Sequence, residues 1–304
     1  MRIVLLGTAA GGGFPQWNCS CALCAEVRAG SSRVRPRTQS CVAISADSKR
    51  WFLLNASPDV RFQIESFHPL HPATDQTRGT PIQAVLLTNA DLDHTLGLLL
   101  MREGERLIIR SSRPVQEAVR ACFGTALENF CGTTWIHVSK TKTALLCRDG
   151  SQSGLIYNAF SVPGKPPRYV ESRDSSSPDQ CVGYKFEDQK TGGRLVFVPD
   201  IAEINQEVIP LLGDCDVLLF DGTFWSEHEM RDRGINNVSA SQMGHIPISG
   251  ENGSLKTLAG LPAKNKVYIH INNTNPILLE DSAERAAVTA AGVQVGHDGM
   301  EFLI

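Results

Sequence analysis

Short apolar runs recur along the chain and set its reading. Residues 2–6 (RIVLL), 41–44, 51–54 (WFLL), 82–87 (IQAVLL), 107–110, 195–198 (LVFV), 217–220 (VLLF) and 266–269 (KVYI) are brief, rich in branched side chains and bounded by turn formers. That length and composition predict buried strands. The runs at 41–44 and 51–54 flank the polar turn Asp47-Ser48-Lys49 and predict a strand pair. Between the strands, 95–103 (TLGLLLMRE) predicts the start of a helix, 114–122 a helix opening on proline, and about 250–258 another. Residues 181–188 (CVGYKFED) predict a further strand, and 293–304 a closing hairpin-like pair around His297-Asp298-Gly299. Strands alternating with helices place the chain in the α/β class. We expect one domain over 1–304, long enough to bury a full core.

The polar residues cluster where these runs end. Directly after 82–87 stand Asp91, Asp93 and His94, on a strand-to-helix turn at the carboxyl end of a strand, where open α/β sheets tend to place ligands. Two acids and a histidine so close together repel or desolvate at a cost unless a cation holds them, so a metal is the natural reading. The alternative is a solvated turn with an aspartate capping a helix. Two further strands end in Asp200 and Asp221, and the last buried run ends in His270-Ile271-Asn272-Asn273. His245 stands between Asp221 and that last run in a glycine-flanked loop, and His68 and His71 read as exposed loop residues.

The first strand runs into a glycine-rich loop, 7–13, that lacks the spacing of a phosphate-binding fingerprint. Cys19, Cys21 and Cys24 then form a C-x-C-x-x-C cluster within 17–25, with the spacing of a zinc knuckle but no fourth ligand nearby in sequence. The loop 162–169 carries Lys165 and Arg168, and 171–180 predicts a mobile lid or surface loop.

Composition narrows the classes. Lys plus Arg number 29 against 32 for Asp plus Glu, a net charge of −3 with no long block of either sign, which argues against a nucleic-acid partner. No stretch approaches the ~18 apolar residues of a membrane span, so no membrane insertion is expected. The opening apolar run is too short for a signal peptide, predicting a cytoplasmic protein. Nine cysteines, an odd number, point to metal ligation and buried thiols over a disulfide framework.

Strands ending in Asp93-His94, Asp200 and His270 resemble the metallo-β-lactamase superfamily, which implies an αββα sandwich of two mixed sheets flanked by helices. The superfamily's H-x-H-x-D-H signature reads here Asn89-Ala90-Asp91-Leu92-Asp93-His94, and its later histidine has no counterpart in 162–168 (VPGKPPR). One half of the dinuclear site is dismantled; the other survives as Asp93, His94, Asp200 and His270. The cysteine knuckle and the closing VGHDGME resemble the phosphonate-pathway phosphodiesterase branch, in which a histidine three residues after the final metal histidine completes the zinc site. Here that place is Asn273, with Cys41 or water as other candidates. The strings GTAAGGGFPQWNCSC, TNADLDHTLGLLLMRE, DGTFW, MGHIPI and HINNTNP resemble the B-protein family of pyrroloquinoline quinone (PQQ) synthesis over the full length.

A single ion held by two histidines and one or two carboxylates, with positions left open, is an arrangement favoured by non-haem iron enzymes, although Mn(II) and Zn(II) suit the same ligands. The resemblance implies a substrate, a PQQ precursor built from crosslinked glutamate and tyrosine. The expectation is an Fe2+ oxygenase that uses dioxygen to hydroxylate the tyrosine ring, with a separate structural Zn2+ on the knuckle. Asp91, Asp221 and His245 are the candidate catalytic groups, and Asn89, Lys165, Arg168 and Asn272 the candidate substrate contacts, the two cations pairing with carboxylates. The alternatives are a soluble carrier of PQQ or its precursor toward the periplasm, and a metal-dependent hydrolase. A homodimer is a candidate assembly.

Overall fold

All eight apolar runs become strands in the computed structural model, which describes residues 1–75, 77–104, 106–170 and 178–304. In chain order the strands are β1 (Arg2–Gly7), β2 (Cys41–Ser45), β3 (Trp51–Leu54), β4 (Ile82–Leu86), β5 (Ile108–Ser111), β6 (Thr134–His137), β7 (Thr143–Leu146), β8 (Gln152–Ser161), β9 (Val182–Asp188), β10 (Arg194–Val198), β11 (Val217–Asp221), β12 (Asn265–Ile269), β13 (Gln294–Val295) and β14 (Glu301–Leu303). They form two sheets, ordered β14-β1-β2-β3-β4-β5-β6 and β13-β12-β11-β10-β9-β8-β7. Both are mixed. β3 to β6 run parallel, as do β10 to β13, and the remaining pairs are antiparallel.

The inner faces pack on one another through Ile3, Val42, Phe52 and Leu86 of the first sheet and Tyr184, Phe197, Leu219 and Val267 of the second. The outer face of the first sheet is covered by the helices Val60–Ser66, Gly97–Leu100, Arg113–Val119 and Thr125–Cys131. The second is covered by Ala22–Arg28, Ser254–Gly260 and Ala283–Ala290. This is the αββα sandwich. β3 and β4, and β10 to β12, are buried at nearly every position, because both of their faces are covered.

Some local expectations differ. The 293–304 segment is no hairpin: β13 joins β12 in one sheet, and β14 joins β1 in the other. The segment after Thr95 does not run on as one helix, but breaks at Leu96 between Leu92–Thr95 and Gly97–Leu100. A side chain at Gly97 would lie 2.2 Å from the Ser57 carbonyl oxygen, so this turn is pressed against the 55–59 loop. The helix expected from about 250 starts at Ser254. The helix from Arg113 ends at Val119 and continues as a wider turn through Gly124. β6, β7 and β8 escaped the apolar-run criterion because their residues alternate or lie half-exposed toward a sheet edge. Most of the expected lid, residues 171–177, lies outside the described residues. No helix among the described residues is long and apolar enough to cross a membrane.

Candidate metal centre

Because β10, β11 and β12 are parallel neighbours, their carboxyl ends lie along one edge, delivering Asp200, Asp221 and His270 together. The carboxyl end of β4 meets that edge from the facing sheet and adds Asn89 to His94. Asp91 occupies the N-cap position of Leu92–Thr95, yet its side chain makes no capping hydrogen bond. The simple capping explanation therefore fails, and the carboxyl lies close enough to Asp93, Asp200, His245 and His270 to feel their charges.

Asp93 Oδ2 lies 3.0 Å from His270 Nε2 and 3.9 Å from His94 Nε2. Asp200 stands among three imidazoles: Oδ2 is 3.3 Å from His94 Nδ1, and Oδ1 is 3.5 Å from His270 Nδ1 and 3.7 Å from His245 Nδ1. The His94 and His270 rings pack edge-on at 5.0 Å, and His245 stacks on His270 at 5.4 Å. Ligand atoms of Asp93, His94 and His270 fall within 4.8 Å of one another, as do those of Asp200, His245 and His270. His94 is fully buried, and its Nε2 has no hydrogen-bond partner. A buried imidazole nitrogen left bare beside a carboxylate is what a metal ion would satisfy, so the residues present fit one.

Other side chains fix the rings. Asp221 is wholly buried; its Oδ1 accepts from the Thr223 amide at 2.9 Å and hydroxyl at 2.7 Å, and its Oδ2 accepts from the Ile201 amide at 3.0 Å. Oδ2 also lies 2.8 Å from His245 Nδ1, a contact that leaves Nε2 as the basic nitrogen of that ring. Thr223 Oγ1 is 2.8 Å from His270 Nδ1 and 3.2 Å from His245 Nδ1. On the opposite sheet Thr88 Oγ1 reaches His94 Nδ1 at 3.3 Å and takes a hydrogen bond from Asn55 Nδ2 at 3.0 Å. His270 has φ +54°, a left-handed backbone that costs a non-glycine residue about 1–3 kcal/mol and is retained where the surroundings impose it.

The charges are interdependent. Burial opposes charge on His270, but Asp200, Asp93 and Asp221 overcome it and raise its pKa to about 10. Burial likewise opposes charge on His245, and Asp221 and Asp200 outweigh it and raise its pKa. On His94 burial prevails and the pKa falls. Burial, then the Asp93 and Asp200 carboxylates, push Asp91 up to about 7. Burial also works against ionised Asp93, yet His94 and His270 hold its carboxyl well below the usual range.

The cysteine cluster lies beside this centre. The thiols of Cys19, Cys21 and Cys24 lie within 4.8 Å of one another. Asn273 Nδ2 stands 3.2 Å, 3.7 Å and 3.3 Å from their sulfurs in that order. Turning the amide over presents Oδ1 at the same place, because the two ends of the group are interchangeable in shape. Cys41 is elsewhere, fully buried with its thiol 3.2 Å from the Asn55 carbonyl.

Comparison with known proteins places this geometry. A β-lactamase superfamily domain is matched over residues 50–271. The chain is 41% identical to the coenzyme PQQ synthesis protein B of Methylobacterium nodulans over 305 residues, covering 99% of each. It belongs to the coenzyme PQQ synthesis protein B family. The family member of Pseudomonas entomophila is 39% identical over 307 residues, with 99% of each covered. The crystal structure of zinc-bound PqqB from Methylobacterium extorquens superimposes with a TM-score of 0.91 at 40% identity over the whole of both chains. A diphosphatase of the PhnP family, 19% identical and covering 100% of this chain and 97% of its own, shares the fold at a TM-score of 0.69.

Against this family background the expected site residues separate. Asp91, Asp93, His94, Asp200, His245 and His270 converge. His245 and Asp221 were both expected as catalytic groups; His245 stands within ligand range, and Asp221 lies sealed behind it. Asn89 and Asn272, expected as substrate contacts, are both buried and hydrogen-bonded within the protein. Asn89 donates to Asp200 Oδ2 at 3.0 Å and accepts from the Asp91 amide, while Asn272 donates to Thr274 Oγ1. The Lys165 amine donates to the Gln242 carbonyl, and Arg168 is exposed on the same loop. The sequence reading passed over Thr223, Thr88 and Asn55. The only signal for Thr223 was its place two residues after an aspartate that ends a strand.

Proposed function

We propose that this chain acts in PQQ biosynthesis as a mononuclear non-haem Fe(II) oxygenase that hydroxylates the tyrosine ring of a precursor derived from crosslinked glutamate and tyrosine. The names of the relatives support the pathway, and the donor set supports the chemistry. The observation that carries the reading is the convergence of Asp93, His94, Asp200 and His270 with His94 Nε2 left bare, while asparagine and aspartate stand where a second ion would need imidazoles. Asp93, His94, Asp200 and His270 would hold Fe(II), which when bound would supply redox chemistry with dioxygen. Thr223, Asp221, Asn89 and Thr88 orient the ligating side chains, and Asp91, poised at about 7, can hold or release a proton on its carboxyl near neutrality. Lys165 and Arg168 are the proposed partners of the precursor's carboxylates.

In the balanced reaction one oxygen atom enters the ring, the other leaves as water, and an external reductant supplies two electrons. The test is anaerobic loading with Fe(II), then addition of dioxygen, ascorbate and the tyrosine-bearing precursor, with products weighed by mass spectrometry. We expect a gain of oxygen that His94→Ala and His270→Ala abolish. Tight binding with unchanged mass favours a carrier instead, and cleavage of a model ester under zinc favours a hydrolase.

A further inference from the structure

A three-residue backbone step joins the two metal-competent clusters. His270 enters the centre, and Asn273 enters the cysteine knuckle, its amide 3.2 Å from Cys19 Sγ and 3.3 Å from Cys24 Sγ. The intervening segment has little freedom. The Ile271 amide donates to the Thr8 carbonyl at 2.9 Å, and the Ala10 amide to the Ile271 carbonyl at 3.0 Å, so Ile271 is clamped along the first loop. The Asn272 amide donates to the Thr223 carbonyl at 3.0 Å. Asn275 Nδ2 secures the far side on the Gly222 and Thr223 carbonyls at 2.9 Å and 3.2 Å. His270 begins the segment in its left-handed conformation at φ +54°.

The same first loop approaches the centre from another direction. Gly11 lies so near Asp93 that a Cβ there would stand 3.3 Å from Oδ2, and the chain runs on from Gly11 to Cys19. The knuckle is therefore linked to two ligands of the centre, to His270 through the 270–273 segment and to Asp93 through the approach of the first loop at Gly11. An ion at the knuckle would draw the three sulfurs and Asn273 onto one point. That fixes one end of the 270–273 segment and the course of the loop over Asp93.

We propose that the knuckle is a positioning device for the centre as well as a fold clamp: occupancy of the cysteine site raises the affinity of the histidine–carboxylate site, with Asn273 as the positioning residue that links them. This inference rests on the metal-centre reading given above. Binding linkage is reciprocal, so filling either site must favour the other by the same factor.

Cobalt(II) is the probe, because thiolate charge-transfer bands report the knuckle and the weaker visible bands report the imidazole–carboxylate centre. Cobalt affinity at the centre is measured in the full chain with zinc on the knuckle, in Cys24→Ser, which empties the knuckle from its far side, and in Asn273→Ala. We expect a loss of about tenfold at the centre in both variants, within the usual range of coupling between sites. His94→Ala, which weakens the centre without touching the knuckle, is expected to lower knuckle affinity correspondingly. Val288→Ala, a buried change in the Ala283–Ala290 helix, controls for general loss of stability and is expected to leave both affinities unchanged.

If Cys24→Ser does not fold, the wild-type chain stripped of metal and titrated with and without prior zinc gives the same comparison. Centre bands present in wild type but equally tight with the knuckle empty would overturn the coupling alone. Absence of any centre bands in wild type would overturn the metal-centre reading together with it.

Discussion

Thr223 places one hydroxyl among the Asp221 carboxylate and the Nδ1 atoms of His245 and His270, so a single side chain orients two imidazoles. Thr223→Val keeps the shape and removes the hydroxyl. We expect metal affinity at the centre to fall about 10–100-fold, the usual cost of losing such an orienting partner, with Thr223→Ser close to wild type in competition titrations. Protonation adds a second expectation. Without an ion the surrounding carboxylates raise the His270 pKa to about 10, so at neutral pH that ring carries a proton that a metal must displace, and the raised pKa of His245 acts in the same direction. Affinity should therefore rise with pH until His270 deprotonates near 10. Calorimetry at pH 7 in buffers of different ionisation heat should register proton release on binding; identical heats in all of them would contradict the assignment. At this scale Asp93 and His94 were legible because they adjoin in sequence after an apolar run. Thr223 was not, since a threonine declares a role only when its neighbours in space are known.

The helix break at Leu96 and the two closing strands are element-scale features. Gly97 has the Ser57 and Ala56 carbonyl oxygens where a Cβ would be, at 2.2 Å and 2.7 Å, and both belong to backbone that cannot swing aside. Gly97→Ala should destabilise the chain by about 1–3 kcal/mol or more, read as a lower thermal midpoint, and should loosen the turn that carries His94. The strands themselves were readable, because a run such as 217–220 is apolar throughout only when both faces of its sheet are covered. The fate of 293–304 was not readable. Two short strands separated by a His-Asp-Gly turn look alike whether they pair with one another or with β12 and β1 of separate sheets.

For the whole molecule, the decisive fact is the apolar layer shared by the two sheets, to which β1 to β5 and β7 to β12 all contribute buried side chains. Neither sheet can leave that layer without exposing the inner face of the other. We expect one cooperative calorimetric transition for the metal-free chain, with calorimetric and van't Hoff enthalpies in agreement; two resolved transitions would divide the sandwich. The sequence by itself determined the strands, the turn motif at 89–94, the cysteine spacing and, through its long strings, the family resemblance. Each depends on residues close together along the chain or on the strings as a whole. Only the tertiary structure decided that His245 stands within ligand range, that Asp221 is sealed behind it, and that Asn273 rather than Cys41 lies over the thiols. Those outcomes depend on strand order and register, which are set by burial across the entire chain and which no local stretch encodes.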